Sequence, residues 1–117
     1  MNEHETTETI TFDDFLKVSI NCGTILTVED FPKARKPSYK LTIDFGDKIG
    51  IKQTSAQITH LYEKEFLIGK QILAVTNFPI KKIAGFKSEV LLLGLDGPGG
   101  VVFLRPERQV ENGKRVY

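Results

Sequence analysis

Between Tyr39 and Phe45 the sequence alternates without a break: Tyr39, Leu41, Ile43 and Phe45 fall on one side, Lys40, Thr42 and Asp44 on the other. A period of two marks a half-buried β-strand, because successive side chains point to opposite faces of a sheet. Such a strand needs partners to cover its apolar face. Val18 to Glu29 supplies one, since Val18, Ile20 and Cys22, then Ile25 or Leu26 and Val28, approach the same period, with Gly23 placed where a long strand bends or bulges. Ile49 to Ser55 supplies another, after the turn residues Gly46, Asp47 and Lys48 and with Gly50 as a further bend.

The period then changes. Ile58, Leu61, Tyr62, Glu65 and Phe66 recur at three and four, which predicts a helix from about Ala56 to Phe66 that stops before Gly69. Gln71 to Phe78 reads as a fourth strand and the apolar run Glu89 to Leu95 as a fifth. Asp96 to Gly100 then forms a hairpin tip before Val101 to Leu104. Ahead of all of them, Thr11 and Asp14 have the spacing of a capping box, which predicts a short helix from about Phe12 to Lys17. Three strands, a helix and at least two more strands is the order of a five-stranded OB barrel, with a helix between strands three and four. A split ferredoxin-like fold would need two comparable crossover helices. The expected organisation is a disordered acidic leader over residues 1–10 and one all-β OB-fold domain over residues 11–117.

Composition narrows the function classes. A hydrophobic fraction of 40% is ordinary for a globular domain, so disorder of the whole chain is excluded. The net charge of +1 conceals an asymmetry: five acidic residues precede Lys17, and from there on sixteen basic residues face ten acidic ones, a net +6. That excess suits a polyanionic partner bound at a local patch, not through bulk charge. A lone cysteine, Cys22, forbids an internal disulfide, and with His4 and His60 as the two histidines no metal site is expected. Nucleophile, paired-carboxylate and phosphate-loop signatures do not occur, so the chain is not expected to be an enzyme or to carry a cofactor. No signal peptide or spanning segment is read, and the expected location is the cytoplasm, without membrane insertion.

Two loops hold the candidate functional residues. Lys33, Arg35 and Lys36 lie between Pro32 and Pro37, and Lys81, Lys82 and Lys87 follow Pro79. In an OB barrel these loops flank the same ligand face. Either cluster alone is as readily solvated loop charge; both on one face would suit a polyanion. Lys52, on the third expected strand, joins the candidate nucleic-acid contacts. Phe31, Tyr39, Phe78 and Phe86 lie beside these cations, where a ring can stack a base or pack into the core. Tyr39 is in phase with the core; Phe86, between Gly85 and Lys87, is the aromatic most expected to be exposed. Phe31, Phe78, Ile83 and Phe86 also form a candidate peptide-binding set.

Dispersed motifs carry a resemblance as well. FLKVSINCG from Phe15, FPKARKPSYKLTIDFG from Phe31, GIKQTSAQIT from Gly50, NFPIKKIAGFKSEVLLLG from Asn77 and the closing PERQVENGKRVY closely resemble the CsaA family. That resemblance implies an OB fold, a homodimer built from the N-terminal helix and C-terminal segment, and an export-related or secretion chaperone that holds unfolded precursor proteins in an apolar pocket. The CsaA proteins resemble in turn the EMAP-II-like tRNA-binding domains associated with methionyl-tRNA synthetase. This implies that Asn77, Lys82, Gly85 and Ser88 match the tRNA-binding loop, with Asn77, Lys82 and Ser88 as contacts. Ala84 stands where that group often has Arg, and Val90 where it often has Gly, as in the CsaA branch. The implied partners are a second copy of the chain, tRNA, precursor proteins and the export machinery. A free-standing synthetase-associated factor is a further alternative.

Overall fold

The computed structural model describes residues 8–117, so most of the expected leader lies outside the described residues. Helix α1 (Phe12–Leu16) leads into β1 (Ile20–Asp30), β2 (Tyr39–Asp44), the single turn α2 (Gly46–Ile49), β3 (Ile51–Ala56), α3 (Lys64–Leu67) and β4 (Gln71–Val75). The hairpin β5 (Lys81–Ile83) and β6 (Phe86–Ser88) follows, then β7 (Leu91–Leu92) and the hairpin β8 (Gly94–Gly97) and β9 (Gly100–Phe103). The main sheet is antiparallel, in the order β3-β2-β1-β4-β7. Tyr39, Leu41, Ile43 and Phe45 are all buried, as their alternation requires, and meet Ile25, Ile58, Leu67, Ile72 and Phe103 in one core.

The sheet closes by bringing β3 to the β6–β7 segment. The Glu89 N–H donates to the Gln53 carbonyl at 2.8 Å, and the Gln53 N–H donates to Glu89 Oε1 at 2.9 Å. Thr54 Oγ1 donates to the Val90 carbonyl at 2.7 Å, and Ser88 Oγ accepts from the Ser55 N–H at 3.1 Å while lying 2.9 Å from the Thr54 hydroxyl. With Thr54 donating to Val90, the Ser88 hydrogen must go to Thr54, which satisfies both buried hydroxyls. The result is an all-β OB barrel with its helix between β3 and β4.

Several expectations change in detail. The helix expected over 56–66 is only the turn Lys64–Leu67. The spacing of three and four arises because Ile58 plugs the core and Tyr62 packs on Phe103, with ring centroids 4.9 Å apart. The bend in β1 comes from a register shift between Ile25 and Thr27, with Leu26 as the extra residue, and not from Gly23. Gly23 serves close approach instead, since a Cβ there would lie 2.6 Å from Ile43 Cγ2 and 2.7 Å from Phe45 Cδ1. The fifth strand breaks into β7 and β8, and the second basic loop contains the β5–β6 hairpin.

The capping box of α1 is present in full: Thr11 Oγ1 accepts from the Asp14 N–H at 3.1 Å and Asp14 Oδ2 from the Thr11 N–H at 3.2 Å. The C-terminal segment runs beside the first half of β1, which β2 does not cover. The N–H groups of Gly113 and Val116 donate to the carbonyls of Cys22 and Ile20, and the Cys22 N–H donates to the Lys114 carbonyl. Arg115 Nη2 donates to the Leu16 and Val18 carbonyls at 2.6 and 3.2 Å, so it supplies the C-terminal end of α1 with the donors a helix end lacks.

Candidate nucleic-acid interface

Each basic loop has a local reason for its shape. Pro32 and Pro37 cannot donate to a sheet ladder, so the β1–β2 connection leaves the barrel and returns at Ser38, whose hydroxyl donates to the Lys36 carbonyl at 2.9 Å. The β5–β6 hairpin turns at Ala84 and Gly85, with φ of 49° and 82°. Positive φ at both central positions matches a tight type I′ hairpin turn. Its register pairs Lys81 with Ser88, Lys82 with Lys87 and Ile83 with Phe86. Directly paired residues share a face, so Ile83, Phe86 and Ser88 turn toward the barrel and Lys82 and Lys87 turn outward together.

The two loops converge. Lys33, Arg35 and Lys36 from one, and Lys81 and Lys82 from the other, line a single open cleft of roughly 900 Å³. Among the described residues none of these side chains has a carboxylate within ion-pair distance, the four ion pairs being Lys17 with Asp14, Lys64 with Asp30, Arg108 with Glu107 and Lys114 with Glu111. Lys82 and Lys87 face each other across a strand pair, an arrangement that costs stability unless an anion lies between them. Beside the cleft runs a groove of roughly 660 Å³, lined chiefly by apolar side chains, Phe78, Ile80 and Leu91 among them. Ser55, Gln57, Lys81 and Ile83 line both.

The sequence-derived candidates divide accordingly. Lys33, Arg35, Lys36 and Lys82 line the cleft, and Lys87 stands beside it on the hairpin. Lys52 lies on β3 opposite Ile43 and lines neither cavity. Asn77 fastens α1 to β4: its Oδ1 accepts from the Ser19 N–H at 3.0 Å and its Nδ2 donates to the Lys17 carbonyl at 2.8 Å. Ser88 is buried, with its hydroxyl engaged in the barrel seam. Gly85 makes the hairpin turn.

Of the apolar set, Phe78 is 51% exposed on the groove and Ile83 lines both cavities. Phe31 is buried, and Phe86, expected to be the exposed aromatic, is half-buried against it instead. Ser55, Gln57, Ile80 and Leu91 join the site from outside the expected set. The unbroken apolar run at Leu91 is the available signal, since such a run has apolar residues facing both sides of a strand. Cys22 is 1% exposed and burial pushes its thiol pKa up, as befits an inert core residue. Among the described residues no group of three His, Cys, Asp or Glu side chains could hold a metal, and no helix is long and apolar enough to cross a membrane.

Comparison with known proteins gives this geometry a family. The family described as "Putative tRNA binding domain" matches residues 20–115. Methionine–tRNA ligase of Methanococcoides burtonii is 36% identical over 109 residues, which take in 92% of this chain and 16% of the ligase. The chain therefore spans about one sixth of the length of that relative. The crystal structures of chaperone CsaA from Bacillus anthracis and from Picrophilus torridus are 49% and 51% identical, with TM-scores of 0.87 and 0.88. They match 94% and 93% of this chain and 100% of their own. A MetRS-related protein from Pyrococcus horikoshii, 27% identical, covers 95% of this chain and 100% of its own at a TM-score of 0.82. The chain belongs to the tRNA-binding domain family, and within that group to the CsaA proteins.

Proposed function

We propose that this protein binds tRNA, with phosphates crossing the cleft between the β1–β2 loop and the β5–β6 hairpin. The observation that carries this reading is the convergence of five cationic side chains from two separate loops on one cleft, without a carboxylate partner among the described residues. Phosphate neutralisation by Lys and Arg releases counterions, so the affinity falls steeply with salt. The test is a titration of labelled tRNA at several salt concentrations: a log–log slope of about −3 or steeper supports the cleft, and a flat dependence sinks it.

A second reading has its own observation. Phe78, Ile80 and Leu91 expose 51%, 55% and 48% of their surfaces on the neighbouring groove, and an extended apolar segment of an unfolded precursor protein would cover them. In that role the protein is a chaperone, in contact with the export machinery, and its affinity for an unfolded polypeptide would change little with salt. A synthetase-associated factor is a third, weaker reading. All are binding roles carried out without catalysis or cofactor.

The working form is a cytoplasmic homodimer. Phe12 and Leu16 on α1 are 67% and 42% exposed, and Tyr117, at the end of the segment that Arg115 ties to α1, is 100% exposed. An isologous contact through these residues would cover them.

A further inference from the structure

We infer that the apolar groove is a subsite for unpaired nucleobases, so that the preferred ligand is RNA with single-stranded nucleotides. The inference rests on the RNA reading of the neighbouring cleft and assigns the groove to the same ligand in place of a polypeptide. The two cavities are neighbours that share Ser55, Gln57, Lys81 and Ile83 in their walls. A strand whose phosphates meet Lys33, Arg35, Lys36 and Lys82 thus has its bases within reach of the groove. A polynucleotide carries one phosphate per unit beside one flat apolar face per unit, which is the repeat this surface complements. A polypeptide brings negative charge to the cleft only where its sequence is acidic.

The groove has the parts that base recognition needs. Phe78 offers an exposed ring at its wall, and aromatic rings stack any base. At the junction with the cleft, the Gln57 amide and the Ser55 hydroxyl have no hydrogen-bond partner among the described residues. An apolar cavity with a few uncommitted polar groups is the usual form of a small-ligand site, and an amide can both donate to and accept from the edge of a base. A duplex keeps its bases stacked inside and cannot fill the groove.

The chain contains no tryptophan, so Phe78→Trp places a single reporter in the groove. A 12-nucleotide RNA of mixed sequence, alone and annealed to its complement, is titrated into this variant, the wild type and Phe78→Ala. The inference expects the single strand to quench the indole and the duplex to leave it unchanged. It expects Phe78→Ala to weaken single-strand binding on the order of tenfold, with duplex binding and the salt slope preserved. An unquenched indole together with wild-type single-strand affinity in Phe78→Ala would overturn it while leaving the cleft reading intact. Failure of strand, duplex and tRNA alike to bind the wild type would remove the RNA reading itself, and this inference with it. If Phe78→Ala releases a permanently unfolded polypeptide, reduced and carboxymethylated α-lactalbumin, yet keeps RNA, the groove is a polypeptide site and the inference is wrong.

Discussion

Phe31 and Phe86 pack edge to face, their ring centroids 5.4 Å apart, with the Lys40 ammonium 4.8 Å from the first ring and 5.2 Å from the second. Phe31 is the first residue after β1, and Phe86 begins the second strand of the hairpin. The contact therefore ties the root of the first basic loop to the turn end of the hairpin that forms the second. Edge-to-face geometry and a cation near both rings each add to simple burial. Phe31→Ala, at a buried position, should cost about 3 kcal/mol in urea unfolding, and Phe86→Ala, half-buried, about 1–2 kcal/mol. Both should also weaken RNA binding; if Phe86→Ala unfolds at the wild-type midpoint, the pair does not hold the loops.

Ser88 is a seam residue in the fold, whatever it does for RNA. Its hydroxyl serves both Thr54 and the Ser55 N–H, so Ser88→Ala leaves buried partners unsatisfied and should destabilise the protein by about 1–2 kcal/mol. A direct phosphate contact would instead show as weaker affinity at unchanged stability. Comparing urea midpoints with tRNA affinities for this one variant distinguishes them.

Ala84 sits at φ 49° in the hairpin turn, a region where a Cβ is unfavourable and glycine is not. Ala84→Gly should therefore raise stability by about 0.5–1 kcal/mol. A lower melting temperature for this variant would mean that the Ala84 methyl makes contacts worth more than the strain.

The capping box should be sensitive to acid. The hydrogen bond from the Thr11 backbone N–H, then Lys17 and the Thr11 hydroxyl, hold the Asp14 carboxyl below its ordinary pKa of 3.8. A group with a lowered folded pKa stabilises fully above its unfolded value and loses that contribution as pH falls through the folded one. Nuclear magnetic resonance should therefore report an intact α1 cap at pH 5 that frays only below about pH 4. An α1 that melts between pH 6 and 5 would rule out the carboxylate as the cap.

If α1 and the C-terminal residues form a dimer interface, Phe12→Ser combined with Tyr117→Ser should sediment as a monomer at micromolar concentration and keep its fold. Removing residues 109–117 is a harsher change, because it also strips the hydrogen bonds that this segment makes to Cys22 and Ile20. A wild type that already sediments as a monomer would end the dimer reading.

The barrel is legible because its signals are local. Period two at Tyr39–Phe45 and the capping box at Thr11 and Asp14 are each set by neighbours a few residues apart, and both stand in the structure. The helix expected over 56–66 fails because Ile58 and Tyr62 are spaced like a helix face but are held by the core and by Phe103. The site is half legible. Charge between prolines places Lys33, Arg35 and Lys36 on a loop, and its convergence with Lys81 and Lys82 follows from the barrel topology. The burial of Ser88 and the pairing of Phe86 with Phe31 depend on contacts 34 and 55 positions apart, which no local pattern records.

The central claim, that the two basic loops act as one RNA site, is tested most directly by a double-mutant cycle on tRNA affinity. Arg35→Ala with Lys36→Ala, Lys82→Ala with Lys87→Ala, and all four together are measured across a range of salt. Each pair should weaken binding and flatten the log–log salt slope by about one unit for each phosphate that is no longer neutralised, with stability held within about 0.5 kcal/mol. The four-fold variant should bind most weakly and show the shallowest slope, with Lys33 and Lys81 supplying the salt dependence that remains. Wild-type affinity and slope in both paired variants would contradict the account.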